Sequence, residues 1–465
     1  MNTTPYNRSR TLVRESISCV YAGMKTDNTM RAARVPKSRT SRLLKLGGLA
    51  TRVAGNVVAE GSKRWVKGES APISELLLTQ KNLAHVADKL ARMRGAAMKM
   101  GQLLSMDAGT LLPAELAAVL ARLQSQGMVM PKTQLLDSLE SHWGEEWMDQ
   151  FNYFSFEPVA AASIGQVHKA RLENGEELAI KVQFPGVAQS IDSDIDNVVS
   201  LLRLSGLIPR SLDLDDLIAE ARRQLHLEAD YRAEARHLNQ YSEALKAFRL
   251  QDQVLMPKCY ERLSSTEILT MSFVEAKALD AWLEQHPDDA ARLLAIMLEL
   301  FFTEMLHFNL MQTDPNPANY QVHPESRQLV LLDFGAVRAF DKGFVTRYKC
   351  AIDMAIAESR EGLQRALEDL GFFAKGADVA NREVVLDIFM LAAEPLRAEG
   401  EYDFGASDLA RRIQQRGMSV SRDPTAWHTP PADVLFLHRK MGGMYLLAAK
   451  YGAKVNVAEI YSRFA

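Results

Sequence analysis

The chain has 465 residues, long enough for two or three folding units. Its 47% hydrophobic and 24% charged residues match an ordinary globular protein and exclude collagen-like, mucin-like and wholly disordered readings. The 55 Lys/Arg against 58 Asp/Glu leave a net charge of -3, which gives no whole-chain case for nucleic-acid binding, and three scattered cysteines fit a reducing compartment.

Charge is unevenly spread: residues 1–68 carry 14 Lys/Arg and 3 Asp/Glu, a local +11. Residues 1–45, Arg- and Ser/Thr-rich without periodicity, read as a basic disordered tail, with a transit peptide or a membrane-facing arm as alternatives. Residues 46–66 give a short amphipathic helix, and helical spacing through Leu83, Val86, Leu90, Met93, Ala97, Met100 and Leu104 predicts a long one. A helical extension is therefore expected over 46–150. From 151 the texture becomes strand-like, including 177–183, followed by helical patterns at 213–247 and a strand at 266–274. This span, 151–275, reads as a small β-rich lobe. Residues 276–465 read as a helical lobe, with a strongly apolar helix at 288–311, a buried strand at 329–332 and helix from 343 onward. No run reaches the roughly 18 uncharged apolar residues of a membrane span, since 293–311 is broken by Glu299 and Glu304.

The strongest chemical signal is DPNPAN (314–319), then an apolar strand ending in Asp333-Phe334-Gly335, with spacings of 5 and 14 residues between Asp314, Asn319 and Asp333. Phosphoryl transfer from ATP needs one Asp at the attacking group, and an Asn and a second Asp to hold magnesium against the phosphates. Upstream, Lys181 closes an apolar strand, and 14 residues before it lies AAASIGQV (160–167). In place of a glycine-rich phosphate loop, Ala160, Ala161 and Ala162 precede Ser163, Gly165 and Val167; alanine resists positive φ, so a stiffer cradle is expected. A kinase lysine needs a carboxylate partner. A single helix over 225–234 is expected to offer Glu234 for that purpose, with Glu228 and Asp230 splayed as a separate acidic pair. In the predicted long helix, Lys99 and Gln102 are i, i+3 neighbours beside Gly101.

With KMGQ (99–102), AAASIGQV, AIK (179–181), EAD (228–230), QTDPNPAN (312–319), LLDFGA (331–336) and LHRKMGG (437–443), the sequence closely resembles the UbiB/ADCK, or AarF-type, atypical kinases, nearest the coenzyme Q branch. The resemblance implies an α+β, protein-kinase-like two-lobed fold with a helical KxGQ extension over the site. It also implies ATP and Mg2+ as ligands, Lys181 paired with Glu234, Asp314 as catalytic acid, and Asn319 and Asp333 on the metal. Lys99 and Gln102 would gate the site against Glu228 and Asp230. The partners it implies are a quinone-like lipid or an anionic membrane surface, quinone-biosynthesis enzymes and a homodimer. The location it implies is cytoplasmic, peripheral on an inner membrane, or on the matrix side in a eukaryote.

Two departures from ordinary protein kinases bear on function. Gln312-Thr313, not His-Arg, precedes Asp314, and only a few residues separate Gly335 from the next helix, leaving no platform for a peptide. ATP hydrolysis or action on a small lipid-like substrate is the favoured expectation; a nucleotide-gated scaffold of biosynthetic enzymes and a true protein kinase are the alternatives.

Overall fold

A computed structural model describes residues 129–204, 215–314, 319–373, 379–420 and 432–464. The basic tail, the helical extension up to residue 128 with its Lys99 and Gln102, and positions 315–318 lie outside these residues, whereas 129–150, expected as the end of the extension, are described and pack on the small lobe.

The small lobe starts with α1 (Lys132–Trp143), then β1 (Phe151–Phe154), β2 (Ala160–Ala161), β3 (Gly165–Leu172) and β4 (Glu177–Gln183). Helices α2 (Val187–Leu204), α3 (Asp215–Glu228) and α4 (Tyr231–Leu245) follow, then β5 (Val254–Leu255) and β6 (Ile268–Ser272). One antiparallel sheet runs β1-β3-β4-β6, with β2 also paired to β3. The two faces of β4 have different destinations, as a period of two requires. Leu178, Ile180 and Val182 are fully buried with Leu135, Leu139 and Trp147, while Lys181, in register with Val167 and Leu269, points to the other face.

The larger lobe begins at β7 (Lys277–Ala278), α5 (Leu279–Gln285) and α6 (Ala290–Thr303). Short strands β8 (Leu310–Gln312), β9 (Tyr320–Val322), β10 (Leu329–Leu331) and β11 (Val337–Ala339) carry the motifs. The rest is mainly helical: α7 (Lys342–Ile356), α8 (Arg360–Asp369), α9 (Val379–Ala392), α10 (Glu394–Arg397), then β12 (Tyr402–Asp403), α11 (Leu409–Val420), α12 (Ala432–Lys450), β13 (Lys454–Val455) and α13 (Val457–Ser462). Its core joins α4 to α6, α7 and α12 through Leu238, Tyr241, Phe301, Tyr348, Leu437 and Ala448.

Two sequence expectations are corrected. The single helix over 225–234 is two helices: α3 stops at Glu228, and Asp230 caps α4 by accepting from the Ala233 amide at 3.0 Å. A short carboxylate at that position satisfies an amide the first helical turn leaves open, so it starts a new helix in preference to continuing the old one. The apolar helix over 288–311 is α only to Thr303. A π turn, Glu304–Phe308, widens it, and Asn309 at φ 50° turns the chain into β8. Asn accepts that left-handed conformation better than most side chains.

Candidate functional site

The site lies where β4, α4, the β2–β3 hairpin and the motif strands of the larger lobe meet. Lys181 Nζ donates to both oxygens of Glu234, at 2.8 and 3.0 Å. Glu234 is only 2% exposed and shares an otherwise apolar face of α4 with Tyr231, Leu238, Tyr241 and Leu245. A carboxylate in such a stripe requires a partner. The Tyr231 ring lies 5.0 Å from the same ammonium.

Electrostatics there are lopsided. Burial pulls the Lys181 ammonium down, but Glu234 and then Asp333 overcome it and hold it well above the usual lysine range. Burial pushes the Glu234 carboxyl up to about 7; Asp333 and Glu228 push the same way while Lys181 pulls down. Two carboxylates, Glu234 and Asp333, thus act on one ammonium, with Glu228 close enough to act on Glu234.

The alanine loop is a tight hairpin. Ala160 pairs with Val167 and Ala161 with Gln166, and the Ala162 amide donates to the Gly165 carbonyl at 3.0 Å. Positive φ is used at neither the alanines nor Gly165. Gly165 is needed for space: a Cβ there would sit 2.4 Å from the Val182 carbonyl oxygen and 3.0 Å from the Tyr231 hydroxyl. At the tip, Ser163 Oγ donates to Glu228 Oε2 at 2.5 Å. Glu228 in turn lies against Gly335, whose absent Cβ would be 3.6 Å from Glu228 Cγ.

On the opposite side, Asp333 Oδ1 accepts from the Gly335 amide at 2.9 Å. Phe334 is buried and packs 5.2 Å from the Tyr241 ring, and its carbonyl meets His237 Nδ1 at 3.3 Å. Asn319 Nδ2 donates to the Asp314 carbonyl at 3.4 Å, and both the amide and hydroxyl of Thr313 donate to the Ala336 carbonyl. The segments bearing Asp314 and Asp333 are therefore stitched together, as the β8–β11 pairing Gln312↔Val337 also requires. After Gly335, β11 and then Phe340-Asp341 lead directly into α7.

The structure thus brings together Lys181, Glu234 and the loop 160–167, and links Glu228 to Ser163. Asp230 is instead engaged as a helix cap, with Arg236 at 3.8 Å. Sequence reasoning assigned no role to Tyr231, Tyr241, Thr313, Glu304 or Lys440. Glu304 had a readable signal, as a charge inside a strongly apolar helical run, whereas Lys440 follows His438 and Arg439 and did not stand out.

For a divalent cation, Asn319 and Asp333 offer two oxygen donors. No cluster of three His, Cys, Asp or Glu side chains converges among the described residues. That sparse set suits magnesium, which keeps waters and takes its remaining ligands from substrate phosphates.

Together the sheet, the helix-borne glutamate and the Asp-Phe-Gly strand end define a two-lobed, protein-kinase-like α+β fold. The family described as "ABC1 atypical kinase-like domain" matches residues 122–367. Saccharomyces cerevisiae "Atypical kinase COQ8, mitochondrial" is 34% identical over 437 residues, covering 93% of this chain and 86% of that protein. Rat "Atypical kinase COQ8B, mitochondrial" is 34% identical over 436 residues, covering 93% and 81%. The solved complex of Rv3197 with erythromycin from Mycobacterium tuberculosis shares the fold at a TM-score of 0.57 and 23% identity, over 81% of this chain and 93% of that one. The chain belongs to the ABC1 atypical kinase family, together with the COQ8 proteins.

Proposed function

We propose that the protein is an ATP-binding atypical kinase, chiefly an ATPase, that supports ubiquinone biosynthesis at a membrane surface. The observation that carries this reading is the Lys181–Glu234 pair set beside Asp333 in a chain without a peptide-docking segment after Gly335. Lys181, fixed by Glu234, neutralises the α/β-phosphates of the nucleotide, and the hairpin from Ala160 to Val167 covers them. Asp314 orients the attacking water or hydroxyl and accepts its proton. Asn319 and Asp333 would hold Mg2+, which supplies charge neutralisation between the phosphates when bound. Because α7 begins so soon after Gly335, a polypeptide acceptor has no platform, and water or a small lipid-linked hydroxyl is the better acceptor. The pathway and a mitochondrial or inner-membrane location rest on kinship with the COQ8 proteins, whose names print "mitochondrial". No helix among the described residues is long and apolar enough to cross a membrane.

Two measurements test the reading. Mg-ATP at about 100 times its dissociation constant should stabilise the wild type by about 2.7 kcal/mol and leave Asp333→Asn nearly unshifted. Cells lacking the protein should accumulate a quinone intermediate that wild type clears and Asp333→Asn does not. Equal thermal shifts would overturn the metal assignment, and an unaltered quinone profile would overturn the pathway.

A further inference from the structure

Ordinary protein kinases place His-Arg before the catalytic Asp, whereas here Gln312-Thr313 stands there. What fixes this segment comes from the far end of the chain. Lys440, on α12, donates to the Gln312 carbonyl at 2.8 Å and pairs with Glu304 Oε2. Glu304, in the π turn, accepts from the Gln312 amide at 3.2 Å and from the Tyr241 hydroxyl at 2.7 Å. Both backbone polar groups of Gln312, two residues before Asp314, are therefore held by one ion pair in which neither partner reaches solvent.

The same carboxylate reaches the nucleotide side. Tyr241 lies seven residues after Glu234, on the same buried face of α4, and its ring abuts Phe334 of the Asp-Phe-Gly segment. Glu304 thus meets the helix that carries the Lys181 partner, the strand that leads to Asp314 and, through Tyr241, the segment that carries Asp333. A π turn, wider than the α-helix it interrupts, recurs at functional sites, and here it delivers the carboxylate.

We propose that Lys440 is a positioning residue for phosphoryl transfer: through Glu304 it holds Gln312 and so sets the approach of Asp314. The C-terminal helix α12 is then part of the reaction machinery. This inference rests on the ATP-turnover reading above.

The full chain carrying Lys440→Met with Glu304→Gln removes both charges while keeping an acceptor for Tyr241. We expect cooperative melting, ADP affinity and KM within about threefold of wild type, and kcat lower by about tenfold or more. Amide exchange over 309–314 should be faster by about tenfold. Lys440→Arg, which keeps the charge, should recover part of kcat. Wild-type kcat in the folded double variant, or unchanged exchange over 309–314, overturns the proposal. Should the double variant not fold, Tyr241→Phe decides, with a kcat loss of about fivefold at unchanged KM expected and wild-type kcat overturning. Asp314→Asn separates the two readings. If wild-type ATP turnover does not exceed that of Asp314→Asn, the ATPase reading fails, and the exchange measurement still decides the positioning.

Discussion

Among the described residues two lysine–glutamate pairs are buried, and their surroundings set them apart. Lys181 and Glu234 sit at the cleft, with side chains 14% and 2% exposed; Lys440 and Glu304 are sealed, at 2% and 0%. Burial pulls both ammonium groups down, yet Lys181 ends well above the usual lysine range and Lys440 below it. The difference is the count of carboxylates. Asp333 joins Glu234 in holding the Lys181 proton, whereas Lys440 has Glu304 alone. Hydrogen bonding differs in its partners. Lys181 spends its bonds on Glu234 and keeps donor capacity for a ligand. Lys440 also makes two bonds but divides them between Glu304 and the Gln312 carbonyl, while Glu304 accepts from the Gln312 amide and the Tyr241 hydroxyl. One pair faces the cleft and the other ties the π turn and α12 to the chain before Asp314.

The largest effect should come from breaking the sealed pair on one side. Lys440→Ala leaves Glu304 buried and unpaired, which costs about 3–5 kcal/mol of folding stability. Lys181→Ala should cost only about 1–2 kcal/mol, because at the cleft, where the Lys181 side chain is 14% exposed, water can enter beside Glu234. Urea denaturation at pH 7 measures both, and equal losses would erase the distinction.

A buried group that stays neutral sharpens the comparison from the other side. His168 is fully buried; its Nδ1 meets the Ser155 carbonyl at 2.8 Å, and the Gln166 amide donates to its Nε2 at 2.7 Å. That arrangement fixes the uncharged ring with its proton on Nδ1, and burial lowers its pKa to about 4. The folded value lies below the unfolded 6.5, so the contribution is complete above pH 6.5 and is lost as pH falls towards about 4. At full extent it is roughly 3 kcal/mol. Between pH 7.5 and 5.0 the wild type should therefore lose about 2 kcal/mol more than His168→Gln. Parallel losses in the two proteins would show that another group carries the acid sensitivity.

Gly165 tests the cleft pair without touching either member. A Cβ there meets the Val182 carbonyl oxygen and the Tyr231 hydroxyl, and the Tyr231 ring lies beside Lys181. Gly165→Ala should cost about 1–3 kcal/mol by overpacking. It should also weaken ATP binding as Tyr231 and the ammonium shift, while exchange over 309–314 stays unchanged. Wild-type affinity would show that the hairpin yields without moving Lys181.

The cleft was far more legible in the sequence than the sealed pair, and for a physical reason. Lys181 lies in a strand, and Asp314, Asn319 and Asp333 beside strand ends, where local spacing fixes what a side chain can reach. Lys440 and Glu304 are 136 residues apart and meet only through the packing of α12 on α6, which no local pattern encodes. The charge of Glu304 inside an apolar run was visible, but its partner could not be read from it, and Lys440 is masked by the adjoining His438 and Arg439. The break between α3 and α4 was hidden for a different reason. Glu228, Ala229 and Asp230 carry no proline or glycine, and only the capping geometry of Asp230 shows that the helix restarts there.

The smallest effect concerns the hairpin tip. Ser163 Oγ donates to Glu228 at the end of α3, and Glu228 packs against Gly335, so one hydrogen bond ties the phosphate loop to the Asp-Phe-Gly segment. The bond is charge-assisted but partly open to solvent, and its loss in Ser163→Ala should cost only about 1 kcal/mol. The consequence should be local. Freed of the serine, Glu228 no longer restrains the hairpin, and amide exchange over 160–166 should rise while that over 309–314 does not. Ser163→Thr keeps the hydroxyl and should restore protection of the hairpin. If Ser163→Ala instead raised exchange at both segments, the cleft and the sealed pair would be one mechanical unit, and the division drawn between them would be wrong.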